Sequence, residues 1–287
     1  VSTEKKLYAY VRQEIVPLGQ AHLHVSDLAI QRGYGVFDYF RISEGRPLFL
    51  EEYLARFYES ARLMHLPLPL SDEALKAAIY KLVGLNALAV SGMKMILTGG
   101  YSDSGYDIVA PNLLLLQQPV TMPVQALQER GLKLITHEYV REFPEVKTIN
   151  YAMGIRLLQK IREQGADDVL YHHKGIVSEL PRCNFFLVRQ DGTVVTPAHG
   201  MLQGVTRKHV LELATKRYPA VEATVTLDDI RQASEAFLTS TTKRILPVVQ
   251  VDDMVIGAGK PGAVTRQLLE DLVRFEESHH QNQVPGE

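Results

Sequence analysis

Apolar positions along this chain change period several times, and each change marks a predicted element. Residues 7 to 25 alternate loosely and predict a strand pair. Residues 36 to 42 are rich in β-branched and aromatic types, and Glu44-Gly45 supplies a turn before Leu48-Phe49-Leu50, which predicts a hairpin. From Leu50 the period becomes helical, with Leu50, Tyr53, Leu54, Phe57, Ala61 and Met64 on one core-facing stripe. Arg56 lies off that stripe, so the helix can bury its face and still aim a guanidinium elsewhere. Ser71 opens a second helix, with Asp72 and Glu73 where the dipole favours acids, and Gly84 is expected to end it. Residues 93 to 98 and 112 to 116 predict buried strands on either side of a glycine-rich loop, 99 to 106.

Two prolines between Gln117 and Pro123 mark the best domain boundary. The expected organisation is a smaller α/β domain over 1–117, a linker over 118–131 and a larger C-terminal domain over 132–287 that carries Lys147. The second domain opens with a strand at 132 to 136. A helix follows Tyr151 and stops near Gly165, a residue suited to the position after a helix end. The clearest strand signal runs through 169 to 172, turns at Lys174-Gly175 and continues over 176 to 179 and 185 to 188. Asp191-Gly192 then turns into Val194-Val195. Helices are expected near Val205, at Leu227-Asp228-Asp229 and over 263 to 277, with strands flanking Thr239 to Thr242. Helices interleaved with both strands and hairpins predict an α+β (mixed α/β) architecture in two domains.

The composition narrows the function. Apolar residues make up 46% and charged residues 22% of 287, a globular balance. A formal net charge of −2 leaves no basic stripe for nucleic acid. The one cysteine, Cys183, cannot form an internal disulfide and lacks metal-ligand spacing, which fits a reducing compartment. No apolar run is long enough to span a membrane, and no signal-peptide core follows the polar start, so a cytoplasmic protein is expected. The histidines suggest no metal site: His172-His173 reads as a hairpin end. Gly257 to Gly262 lacks the spacing of a phosphate loop and reads as a turn.

Four segments occur in order: Arg32-Gly33-Tyr34-Gly35-Val36-Phe37-Asp38, Leu54-Ala55-Arg56-Phe57, Lys147-Thr148-Ile149-Asn150-Tyr151, and Ser178-Glu179 with Asn184-Phe185-Phe186. Leu202-Gln203-Gly204-Val205-Thr206-Arg207 and Thr239-Ser240-Thr241-Thr242 follow. Together they resemble the signature of class IV aminotransferases, the branched-chain and D-amino-acid type, over nearly the whole chain. The resemblance implies the two-domain D-amino-acid aminotransferase-like fold, pyridoxal 5′-phosphate as cofactor and a homodimer. It also implies ping-pong transamination of an α-amino acid with a 2-keto acid.

Each segment has its own physical logic. A lysine that bonds to a cofactor aldehyde must lose its charge in a partly desolvated pocket; by resemblance that lysine is Lys147, although an isolated lysine in this context would read as a surface residue. Glu179 lies in the densest strand region, where a carboxylate needs a partner. A pyridinium nitrogen would suit it, and a strand-end glutamate facing water is the alternative. Gly204-Val205-Thr206 offers N–H groups and a hydroxyl to an anion at a helix start, or Thr206 simply caps that helix. Resemblance assigns the cofactor phosphate to Arg56, Val205, Thr206, Ser240 and Thr241, a ring face to Leu202 and the ring oxygen to Tyr151.

The substrate contacts depart from the family patterns. Phe37 stands where D-amino-acid enzymes carry a tyrosine and resembles the branched-chain enzymes instead. The loop Ser104-Gly105-Tyr106 lacks the Arg-x-His pair of the D-specific enzymes. Lys94 replaces an arginine, which trades a bidentate fork for a point charge, and Arg32 is an alternative carboxylate anchor. Branched-chain L-amino acids and D-amino acids are equal expectations, with (R)-amines as a further range. Aminodeoxychorismate lyase-type elimination and a non-catalytic binding homologue are the other readings.

Overall fold

The structure, a computed structural model, describes residues 6–123 and 125–282. Two compact units divide the chain. The first comprises residues up to Val120 together with Val146–Asn150, and the second comprises Thr121–Glu145 and Tyr151–Asn282.

The first unit contains β1 (Tyr8–Val11), β2 (Glu14–Pro17), α1 (Leu28–Arg32), β3 (Gly35–Ser43), β4 (Arg46–Pro47), α2 (Leu50–Leu63), α3 (Asp72–Asn86), β5 (Val90–Thr98) and β6 (Leu113–Pro119). Its strands form one sheet in the order β2-β1-β6-β5-β3-β4, with every pair antiparallel. Both hairpins turn through two residues in the left-handed region, Arg12-Gln13 and Glu44-Gly45, the conformation that matches strand twist. One face of β3 is buried through Val36, Asp38, Phe40 and Ile42. Tyr53, Leu54, Phe57 and Ala61 of α2 are buried too, and Phe40 meets Tyr53 at 6.1 Å between ring centroids. Phe37, Tyr39 and Arg41 alternate onto the opposite face and are half-buried.

The strand pair expected over 7 to 25 is shorter, because 18–20 form a 3-10 turn. Leu48-Phe49-Leu50 is not a strand: Phe49 adopts φ 55° and starts α2. Gly84 does not end α3, which runs on to Asn86 and stops where Ala87 turns left-handed at φ 41°. The short α1 carried no periodic signal; Asp27 caps it.

The second unit contains α4 (Gln125–Arg130), β7 (Leu132–Glu138), α5 (Ala152–Arg156), α6 (Leu158–Glu163), β8 (Asp168–His173), β9 (Ile176–Val177), β10 (Glu179–Leu180), β11 (Cys183–Val188), β12 (Val194–Pro197) and α7 (Val205–Ala214). It continues with β13 (Ala220–Ala223), α8 (Leu227–Gln232), β14 (Glu235–Ser240), β15 (Arg244–Val251), β16 (Met254–Val255) and α9 (Ala263–Asn282). The main path of its sheet is β13-β12-β11-β14-β15-β7-β8-β9. Pairing is parallel at β12–β13, β15–β7 and β7–β8. All six residues of β11 are buried, as expected of a strand covered on both faces. Phe185 and Leu187 join one core, while Phe186 and Val188 join a second with Val210 of α7 and Leu268 of α9. Phe186 and Phe237 stack at 4.9 Å as register partners.

The single helix expected after Tyr151 is interrupted at Leu157. That side chain is buried with Ile161, Val169 and Tyr171. Gly165 closes the second piece at φ 62°. A helix occupies the segment expected as linker, and the first division falls after Val120. Lys147, expected in the C-terminal domain, lies on the short segment that belongs to the first unit, because 147–149 pair with the start of β3. Among the described residues, no helix is long and apolar enough to cross a membrane, and no group of His, Cys, Asp and Glu could hold a metal ion.

Asp27 ties the first unit together. It is fully buried and accepts from Ala29 N–H at 2.8 Å, Thr98 Oγ1 at 2.8 Å and Asn112 Nδ2 at 2.7 Å. Asp27→Ala strands these donors, so we expect a loss of about 3 kcal/mol in unfolding free energy. The readout is a lower urea midpoint at unchanged m.

Candidate active site

Lys147 is held by its backbone before its side chain is considered. Its N–H donates to Ser60 Oγ of α2 at 3.2 Å, and its carbonyl accepts the Phe37 N–H at 2.9 Å. Ile149 N–H donates to Gly35 O at 3.1 Å, and Thr148 bridges Val36 in antiparallel fashion. The segment thus lies antiparallel beside the beginning of β3, joined by one bridge and its flanking hydrogen bonds. A Cβ at Gly35 would lie 2.8 Å from Leu97 O of β5 and 3.1 Å from Ile149 Cδ1, so the glycine keeps β3 close to β5 at the point where the segment joins it.

The Lys147 ammonium stands 4.7 Å from the centroid of the Phe37 ring. The Lys94 ammonium stands 4.9 Å from the same centroid. The two cations are therefore no farther apart than about one Debye length at 0.1 M, ~10 Å, within which charges still act on one another. Arg56 reaches past its helix stripe to Asp38, with Nε to Oδ2 at 2.9 Å and Nη2 to Oδ1 at 2.6 Å. This planar fork is geometry a lysine could not supply. Asp38 is fully buried, so the pair fixes where the guanidinium sits. Burial pushes the Tyr39 phenol up, and the Arg41 guanidinium draws it part of the way back. Arg32 is exposed at the end of α1, where its Nη1 donates to Gln31 O at 2.8 Å.

The second unit holds the other group of expected residues. Glu179 does not face water: it is 5% exposed. Arg141 Nε donates to its Oε1 at 2.6 Å and the Leu202 N–H donates to its Oε2 at 3.0 Å. Arg141 also donates to the carbonyl oxygens of Phe143 and Pro144. Asn184, the register partner of Glu179, donates from Nδ2 to Leu202 O at 2.8 Å. Leu202 is therefore held at both its N–H and its carbonyl. Gly204 is the N-cap of α7, so Thr206 does not cap this helix. No side chain at the N-cap takes up the first-turn N–H groups, an arrangement that suits an anion. A Cβ at Gly204 would lie 2.1 Å from Asn184 Oδ1. Val205 is buried and Thr206 half-buried. Ser240 Oγ accepts the Lys243 N–H at 3.2 Å, which closes the turn that carries the half-buried Thr241. Tyr151 occupies the N-cap position of α5. Cys183 is buried, and burial pushes its thiol up, so it stays protonated.

Sequence reasoning missed Arg141, Ser60 and the role of Asp38. The one available signal was Asp38 at a core-facing position of an alternating strand, where a carboxylate demands a partner.

Residues 35–251 match the amino-transferase class IV family. The D-alanine aminotransferase of Listeria innocua is 30% identical over 278 residues, 92% of this chain and 96% of that protein. The putative branched-chain-amino-acid aminotransferase of Methanocaldococcus jannaschii is 30% identical over 274 residues, 91% of this chain and 93% of that protein. Among solved structures, the branched-chain amino acid aminotransferase of T.th. with pyridoxamine 5′-phosphate shares the fold. Its TM-score is 0.88 at 24% identity, over 96% of this chain and 95% of that one. The chain belongs to the class IV aminotransferase family, and the mixed helix-and-sheet fold expected from its sequence is the one observed.

Arg141 is the test of the Glu179 arrangement. Arg141→Ala removes a guanidinium from a buried carboxylate and is expected to cost about 3–5 kcal/mol, measured by urea unfolding. Glu142→Ala, at the exposed neighbour, should stay within about 0.5 kcal/mol of the parent.

Proposed function

We propose that this chain transfers an amino group between an α-amino acid and a 2-keto acid with pyridoxal 5′-phosphate as cofactor, and that Lys147 is the reacting amine. The observation that carries this reading is the placement of Lys147, fixed by its backbone to α2 and β3 with its ammonium against Phe37. The residues fit such a cofactor. Glu179 is a buried, oriented carboxylate of the kind that holds a pyridinium N–H. The start of α7, without a side-chain cap, suits a phosphate.

In this reading Lys147 would hold the cofactor through Nζ, and Glu179 would keep its ring nitrogen protonated. Leu202 packs on the ring. Val205, Thr206, Ser240, Thr241 and Arg56 take the 5′-phosphate, and Tyr151 the ring oxygen. When bound, the cofactor supplies an electron sink for the charge left at the substrate Cα. Lys147 Nζ would be the base that takes the proton from the substrate Cα and the acid that gives it back. Phe37, Lys94 and Arg32 meet the substrate, with one of the two cations on its carboxylate. Relatives named for D-alanine and for branched-chain amino acids support both as substrate classes. The family resemblance further supports a homodimer, and the single cysteine a reducing, cytoplasmic setting.

Lys147→Ala should abolish the absorbance band of the lysine-bound cofactor and stop turnover; retention of full activity would end the proposal. A panel of L- and D-amino acids with (R)-1-phenylethylamine, read by half-reaction spectra, should identify one chirality. An absolute requirement for a keto-acid acceptor is expected for product beyond one equivalent per site, and continued product formation without one would mark an elimination instead.

A further inference from the structure

Tyr39 is the next side chain after Phe37 on one face of β3, and its register partner is Lys94. Its phenol does not stand up from the sheet. A Cβ built at Gly92 would lie 1.7 Å from Tyr39 Oη and 2.1 Å from its Cζ, so the ring lies across Gly92, the register partner of Arg41. A glycine inside a strand weakens it and marks a close approach. Here the approach is made by a phenol.

Side chains two apart on a strand face are separated by roughly 6.5–7 Å. The Lys147 ammonium stands 4.7 Å from the Phe37 centroid. A substrate whose Cα comes within proton-transfer distance of Lys147 Nζ therefore meets Tyr39 with whichever substituent runs along β3 beyond Phe37. The ring is half-buried and held from below by backbone, so it cannot sink further to make room.

We propose that Tyr39, laid across Gly92, sets the side-chain range of this enzyme by closing the strand face beyond Phe37 to all but short aliphatic amino acids and keto acids. The proposal rests on Lys147 as the reacting amine. Gly92 is the positioning residue, because any larger side chain would lift the phenol. The role is steric, so the hydroxyl itself is dispensable.

The experiment uses the holoenzyme and unreactive achiral probes, so that neither turnover nor chirality enters. Dissociation constants for propanoate and hexanoate are measured by calorimetry for the parent, Tyr39→Phe and Tyr39→Ala, with Tyr39→Leu in reserve should the alanine variant not fold. The expected result is a parent preference for propanoate, a rise of threefold or more in the relative affinity for hexanoate in the Ala or Leu variant, and a Phe variant that follows the parent. The ratio of kcat/KM for 2-oxohexanoate over pyruvate should move the same way. A smaller rise, or a Phe variant shifted as far as the Ala variant, overturns the proposal. Gly92→Ala should lower the urea midpoint in the parent and lower it less in the Tyr39→Ala background; equal losses would also overturn it. Failure of the Lys147 reading appears elsewhere, as full turnover by Lys147→Ala.

Discussion

Lys147 is placed by its backbone before its side chain makes any contact. Lys147 sits in a stretch without regular structure of its own, yet its carbonyl takes an N–H from β3 and its N–H reaches a hydroxyl on α2. Two fixed peptide groups confine a long, flexible side chain to the rotamers that leave one Cα. Those bonds fix where the side chain starts and leave its own rotamer entropy, up to ~2 kcal/mol, to be met by its contacts. Gly35, whose carbonyl accepts the Ile149 N–H, also leaves room for the backbone of β5, which a methyl group there would strike.

The second unit solves a different problem. A carboxylate removed from water needs compensation, and Glu179 finds it in Arg141 and in the Leu202 peptide. Asn184 holds the next peptide, at the Leu202 carbonyl, so the buried acid and its register partner together order the approach to α7. Charge compensation and loop geometry are one feature here. Arg56 and Asp38 repeat the principle in the first unit, with a forked guanidinium on a fully buried acid.

Local chemistry made much of the fold legible. The turns at Glu44-Gly45 and Lys174-Gly175 carry residues that tolerate positive φ, and both appear as tight hairpin turns. The amphipathic stripe from Leu50 placed α2 correctly to within one residue at each end. What failed was termination. Gly84 lies inside α3, where neighbouring packing outweighs the cost of about 1 kcal/mol for glycine in a helix, and the break at Leu157 has no proline or glycine to announce it. At the site, residue types were readable but partnerships were not. Arg141 and Glu179 are 38 positions apart, and Lys147 and Ser60 are 87 apart. No periodicity connects such positions; only the folded chain does.

The short return of 146–150 to the first unit has a consequence for how this protein can be divided. Among the described residues, the polypeptide passes between units after Val120, after Glu145 and again after Asn150. A fragment cut at Val120 would retain the β3 edge and α2 but lose the segment that pairs with them, while its complement would carry an orphaned pentapeptide. Domain shuffling among homologous chains therefore has to exchange three junctions together, and a single-crossover chimera would graft one parent's lysine segment onto the other parent's β3.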